Sequence, residues 1–314
     1  MVSDPHLYAH HSVVTDPGAG RYLLADLPAD PAALIDIAAA LVIHFTTDRE
    51  LLRSVDTDAR RAEVDSRFAS TMLATIVALD QRPLGAARPP EARLLATCRD
   101  AAVLLCTLFR QVGIPARVRY GFANYLYQPN QILHDHVLAE YWDGSRWCLA
   151  DSRLRSFAEK YGLTHLPAAN LPRHLVRTGA EAWRRIRRDG EKAGLYAGLK
   201  RDDNFGLWTV RNVFLYDLAS LAGVEPLMWD AWGVMLLGAA GQANFVPEQL
   251  AFLDAMAELD PLQPAECAEL VSRFVEAHSL FPEDEIVAFS PVNGMHRVSL
   301  AAHRRALEGA RVPQ

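Results

Sequence analysis

Cys98-Arg99-Asp100-Ala101-Ala102-Val103-Leu104-Leu105 opens the stretch that decides the fold, and the run continues through Cys106, Leu108 and Phe109 to Val112. Wound as a helix over residues 98–112, it is apolar on nearly every side, so it belongs at the centre of the molecule, covered from several directions. Gly113 ends it, because a residue without a Cβ takes the left-handed C-terminal cap freely. Residues 114–122 then read as a strand. Residues 134–142 and 147–151 read as a hairpin across Asp143-Gly144-Ser145-Arg146. The expected fold is α+β: a central helix carrying Cys98 on an antiparallel sheet carrying His136 and Asp151, with extensive helical additions.

Cysteine, histidine and aspartate are the residue types needed for thiolate acyl transfer. A cysteine at the first turn of a helix faces the positive end of the macrodipole, which favours the charged sulfur. A four-residue turn at 143–146 sets Trp142 opposite Trp147, Glu140 opposite Leu149 and Leu138 opposite Asp151. Since side chains alternate along a strand, His136 is diagonal to Asp151, within reach of a side-chain hydrogen bond. The carboxylate would then hold the imidazole tautomer and stabilise its cation. The backbone N–H of Cys98 is one oxyanion donor; for a second, Gln81 is the only suggestion, since no tryptophan precedes Trp142.

The blocks Cys98-Arg99-Asp100-Ala101-Ala102 and Gly113-Ile114-Pro115-Ala116-Arg117, then His136 with Glu140 and Trp147 with Asp151, resemble the transglutaminase-like superfamily over roughly residues 91–155. The resemblance implies a papain-like core with the triad Cys98, His136 and Asp151. It also spans several chemistries: protein cross-linking, proteolysis, peptide processing, deglycosylation and amide formation. Ala96 replaces the glycine common two residues before the nucleophile, Leu138 an aromatic residue, and Arg99 the tryptophan of animal transglutaminases. Those departures, and the absence of calcium-loop signatures, argue against protein cross-linking. Phe205-Gly206 and the tract Leu227–Gly233 resemble a bacterial, actinobacterial-type branch with a helical C-terminal half.

The 314 residues, half of them hydrophobic and 22% charged, suffice for a large core. Three regions are expected: a mainly helical N-terminal extension at 1–90, the catalytic core at 91–160, and a mainly helical region at 161–314. Within the first, residues 1–30 read as a punctuated loop with His10 and His11 solvated; helical periodicity starts near Pro31 and recurs over Val64 to Leu79. In the last, residues 181–220 and 248–280 read as helical. A net charge of −6, from 32 basic and 38 acidic residues, argues against general nucleic-acid binding. No apolar run reaches the ~18 to 20 residues of a membrane span. The N-terminus lacks a signal-peptide pattern, and four cysteines without a C-x-x-C motif form no disulfide framework. A cytoplasmic location is the expectation.

Other features carry a plainer reading. Cys106 and Cys148 read as small core residues. His134, Asp135 and His136 lack the further ligands that zinc requires, so no metal or other cofactor is expected. Glu140, on the strand face of His136, reads as half of a buried pair with an arginine, with support of the site behind His136 as the alternative, and Trp229 and Trp232 read as core. The arginines from Arg173 to Arg188 read as a solvated face, with docking of an acidic carrier protein as the sharper alternative. Three functions stay open: hydrolysis of a small peptide or amide through a Cys98 acyl-enzyme, transfer of an acyl group from an amide or thioester to an amine, and a non-catalytic binding scaffold.

Overall fold

In a computed structural model of the chain, the described residues are 5–126, 132–198, 205–237, 246–282 and 284–301. The N-terminal part contributes α1 (Pro31–Leu41), the short strand β1 (Val42–His44) and α2 (Ala69–Leu79). Asp30 caps α1, its carboxylate accepting from Ala33 N at 2.9 Å, and Pro31 takes the first helical position, where its missing N–H costs nothing. The strand β2 (Leu94–Ala96) leads directly into α3 (Cys98–Gln111). β1 and β2 pair in parallel, with His44 opposite Ala96.

The sequence from Arg99 to Arg110 is buried throughout α3. Gly113 follows with φ +79, the left-handed cap anticipated from its place in the sequence. Next come β3 (Ala116–Ala123), β4 (Leu133–Trp142) and β5 (Trp147–Ala150), paired antiparallel. The hairpin register sets Trp142 against Trp147 and Glu140 against Leu149, as its turn length required. One turn of helix, α4 (Leu154–Phe157), leaves the hairpin, and β6 (Val176–Thr178) pairs with the far edge of β3.

Gly179 begins α5 (Gly179–Arg187), where a Cβ would lie 2.4 Å from the Phe214 backbone. That close approach lets α5 pack on α6 (Leu207–Leu221). Between them β7 (Tyr196–Ala197) pairs in parallel with β4, so the expected helical stretch at 181–220 is two helices separated by a strand, with residues 199–204 outside the described ones. A second sheet joins β8 (Asp230–Ala231) to the hairpin of β9 (Glu285–Ser290) and β10 (Gly294–Ser299). Before that hairpin lie α7 (Pro247–Ala257) and α8 (Pro264–Glu276).

The main hydrophobic core runs from Val14 to Leu300 and draws on all three sequence regions, with a smaller cluster of Ile43, Val55, Val64 and Leu95 beside it. The stretch read as an N-terminal loop is part of it. Val14 is fully buried, Tyr8 meets Trp147 edge to face at 5.7 Å, and Thr107 on α3 donates to Thr15 O at 3.0 Å. His11 is half-buried there, while His10 is exposed as expected.

Candidate active site

The N-terminus of α3 is built by a capping box. Thr97 Oγ1 accepts from Asp100 N, and the Asp100 carboxylate accepts from Thr97 N at 2.8 Å. The pairing of Thr97 with Asp100 is a Thr-x-x-Asp capping box. It places Cys98 at the first helical position, partly exposed, where helix geometry leaves its backbone N–H without an intrahelical acceptor. Arg99 and Asp100 beneath it are fully buried; Arg99 pairs with Asp100 at 3.1 Å and also donates to the carbonyl of Glu225. The loop after α6 is thereby tied to the base of the cysteine.

His136 Nε2 donates to Asp151 Oδ2 at 2.9 Å, and both side chains are buried. Tyr125 OH donates to the same carboxylate oxygen at 2.7 Å, and Arg153 N donates to Oδ1 at 2.9 Å. The Tyr125 ring stands perpendicular to the imidazole, centroids 6.1 Å apart. Because Nε2 is engaged by Asp151, Nδ1 is the nitrogen left to serve the cysteine. Burial opposes charge on His136, but the adjacent Asp151 carboxylate and a hydrogen bond between the imidazole and the Cys98 side chain push its pKa up from 6.5 to about 10. For Asp151, burial raises the pKa, and the neighbouring His136, Tyr125 and Arg153 outweigh it and hold the carboxyl low. A thiol, an imidazole and a carboxylate thus stand in series, poised for charge separation between sulfur and ring.

Cys98, His136 and Thr97 line a cleft of about 440 Å³ whose walls also include His44, Arg49, Leu126, Phe157, Tyr161 and Trp229. The aromatic walls suit a partly apolar ligand. Trp229, read from sequence as core, is partly buried at this wall. Its indole donates to Asp65 at 2.9 Å and its ring meets Phe45 edge to face. Trp232 is core, as expected, its indole donating to Leu280 O. Gln81 lies exposed in the loop after α2 and does not line the cleft.

Four groups at the site escaped the sequence reading. Tyr125 and Arg153 hold Asp151 from two sides, and Arg153 also pairs with Asp48 at 2.7 Å. Asp48 in turn accepts from His44 N at 2.8 Å. His44 sits in the cleft wall, only 6% exposed. Apart from the local Arg153 N–H to Asp151 contact, their roles come from segments brought together across the chain.

The remaining sequence candidates fall outside the cleft. Cys106 is enclosed in α3, where burial pushes its thiol up to about 12, and Cys148 donates to Asp143 at 3.3 Å. Glu140 is fully buried among Arg117, Arg119 and Arg173, whose guanidinium groups approach it at 2.7, 2.8 and 2.6 Å. The arginines of the 173–188 run are matched by internal partners. Arg177 pairs with Glu191, Arg185 with Glu181, Arg187 with Asp254 and Arg188 with Glu258, while Arg184 donates to Ala257 O.

Residues 79–152 match the family model of the transglutaminase-like superfamily, from the end of α2 through the hairpin to Ser152. Neither a curated protein nor a solved structure gives a match. The matched segment contains the capped helix, the three antiparallel strands and all of Cys98, His136 and Asp151. Through residues 79–152 the chain is similar to the core of the transglutaminase-like superfamily, whose members generally work by cysteine-based acyl transfer.

Proposed function

We propose that this protein is a cysteine acyl-transfer enzyme that cleaves an amide bond of a small peptide or amide, with Cys98 as nucleophile, His136 as general acid and base, and Asp151 as the residue that orients the imidazole. The observation that carries the proposal is the 2.9 Å bond from His136 Nε2 to Asp151, in a cleft that Cys98 shares. It leaves Nδ1 for the thiol proton, and the buried carboxylate stabilises the resulting imidazolium.

In the reaction the Cys98 thiolate attacks the amide carbonyl carbon, forming a C–S bond and a tetrahedral oxyanion. The C–N bond then breaks, the leaving amine takes its proton from His136, and the acyl group stays on sulfur as a thioester. Water enters, gives a proton to His136 and attacks the thioester carbon. Collapse releases the carboxylic acid, and the thiol and imidazole return to their starting state. An amine in place of water would yield a new amide by the same steps. Hydrolysis is the preferred reading because the internally matched arginines of the 173–188 run leave the carrier-docked alternative without a distinctive support.

The test is the pH–rate profile of iodoacetamide alkylation at Cys98, located by mass spectrometry, in the wild type and in His136→Ala. Fast alkylation persisting well below the free-thiol pKa of ~8.5, and lost in the variant, is the expected result. A slow titration, indifferent to His136, would leave a binding scaffold as the better reading.

A further inference from the structure

The acyl-transfer reading needs two hydrogen-bond donors for the tetrahedral oxyanion, and the first is the backbone N–H of Cys98. We infer that the second is the imidazole Nε2–H of His44, a residue outside the matched segment; the inference rests on the acyl-transfer reading of the site.

Four observations place it. The parallel pairing of β1 and β2 sets His44 opposite Ala96, two residues before the nucleophile, and Phe45 N donates to Ala96 O at 3.0 Å, fixing that register. The ring lines the same cleft as Cys98 and His136. Its Nδ1 accepts from the backbone N–H of Thr46 at 3.2 Å. A backbone N–H can only donate, so Nδ1 carries no proton and the neutral ring must bear its hydrogen on Nε2. Among the described residues, Nε2 has no hydrogen-bond partner, and it is not an enclosed polar atom lacking one either, on a residue that lines the cleft.

The surroundings keep this donor neutral and rigid. Burial, with the positive charges of Arg153 and His136 nearby, holds the His44 pKa well below 6.5. A neutral imidazole donates a hydrogen bond to a developing oxyanion without surrendering a proton to it or competing with His136 as the base. His44 N donates to Asp48 Oδ2 at 2.8 Å, Asp48 Oδ1 accepts from Arg153 at 2.7 Å, and Arg153 N donates to Asp151 at 2.9 Å. The donor and the carboxylate that orients His136 are therefore tied into one frame. The ring of Phe45 stacks on His44, centroids 5.6 Å apart.

The experiment compares two reactions at one sulfur. Iodoacetamide alkylates by displacement at a saturated carbon and forms no oxyanion. p-Nitrophenyl acetate acylates through a tetrahedral oxyanion, with p-nitrophenolate as leaving group and acetyl-Cys98 as product. Both rates are measured, with Cys98 identified by mass spectrometry, for the wild type, His44→Ala and His44→Gln. Removing a single oxyanion donor typically costs roughly 10²- to 10³-fold. His44→Ala should lose acetylation on that scale while alkylation stays within a few-fold, and His44→Gln, which keeps an N–H donor, should recover part of the loss. Unchanged acetylation in His44→Ala overturns the inference, as does an equal loss of both reactions in the two variants, which would make His44 a residue that shapes the cysteine. A wild type that alkylates quickly but is not acetylated also overturns it. Slow alkylation of the wild type itself would instead strike the acyl-transfer reading, so the two failures are distinct.

Discussion

At the scale of single residues, the site turns on how one imidazole is partnered. In the unfolded chain a histidine titrates near ~6.5; against Asp151 the folded value rises to about 10. A raised folded pKa means that the native state binds the proton more tightly. The stabilisation is therefore complete below ~pH 6.5 and disappears as the pH climbs toward about 10. We expect urea midpoints in a Cys98→Ala background, which removes the thiol's own titration and its share of the shift, to fall above pH 7 more steeply than in the same background carrying His136→Gln. Parallel curves would show that the Asp151 contact is not selective for the imidazolium. His136 and Asp151 could be placed by counting across a four-residue turn, since alternation and register need no knowledge of the rest of the chain. Tyr125 and His44 could not, because each meets the site only through a strand or loop whose position depends on distant packing.

At the scale of elements, the beginning of α3 sets where the sulfur sits. Thr97 both accepts from Asp100 N and donates to its carboxylate at 2.8 Å, in a buried setting. Replacing an N-cap side chain by alanine costs about 0.5 to 2 kcal/mol. Thr97→Ala should fall at the upper end of that range, because it also leaves the buried Asp100 carboxylate with fewer donors. Asp30→Ala, at the exposed cap of α1, should fall at the lower end. Chemical denaturation of the two variants checks the order; equal losses would mean that burial adds nothing to the α3 cap. Both helix starts were legible locally, at Pro31 and at Cys98, but the Asp30 and Thr97 caps that hold them came only with the structure. The residue counts of the short strands β1, β7 and β8 were not, since two or three residues carry no usable periodicity.

At the scale of the whole molecule, the sheet is locked to the C-terminal helices by buried charge. Arg119 bridges Glu140 on β4 and Asp217 on α6, and Arg117 lies over the Trp147 ring with its guanidinium 4.0 Å from the centroid. Three guanidinium groups hold the Glu140 carboxyl far below the usual range despite the burial that would raise it. Breaking a buried ion pair from one side costs roughly 3 to 5 kcal/mol, because it strands the partner charges. Glu140→Gln should lose that much in a denaturation experiment, whereas Asp36→Ala, which removes the half-exposed pair with Arg155, should lose under about 1 kcal/mol. A loss at Glu140 as small as at Asp36 would show that the arginines find water or other acceptors once the carboxylate is gone.

By itself the sequence determined the central helix, the hairpin register and the order of thiol, imidazole and carboxylate, because those follow from periodicity and turn length over fewer than 60 residues. Only the tertiary structure decided that the N-terminal loop is core, that Trp229 forms part of the cleft wall and that His44 reaches the nucleophile's side. Only the folded chain shows that most of the Arg173–Arg188 charges are paired internally with carboxylates. The physical reason is range. Backbone alternation and helical period act between near neighbours, whereas burial and charge pairing depend on which distant segments share a surface, and that is settled by packing.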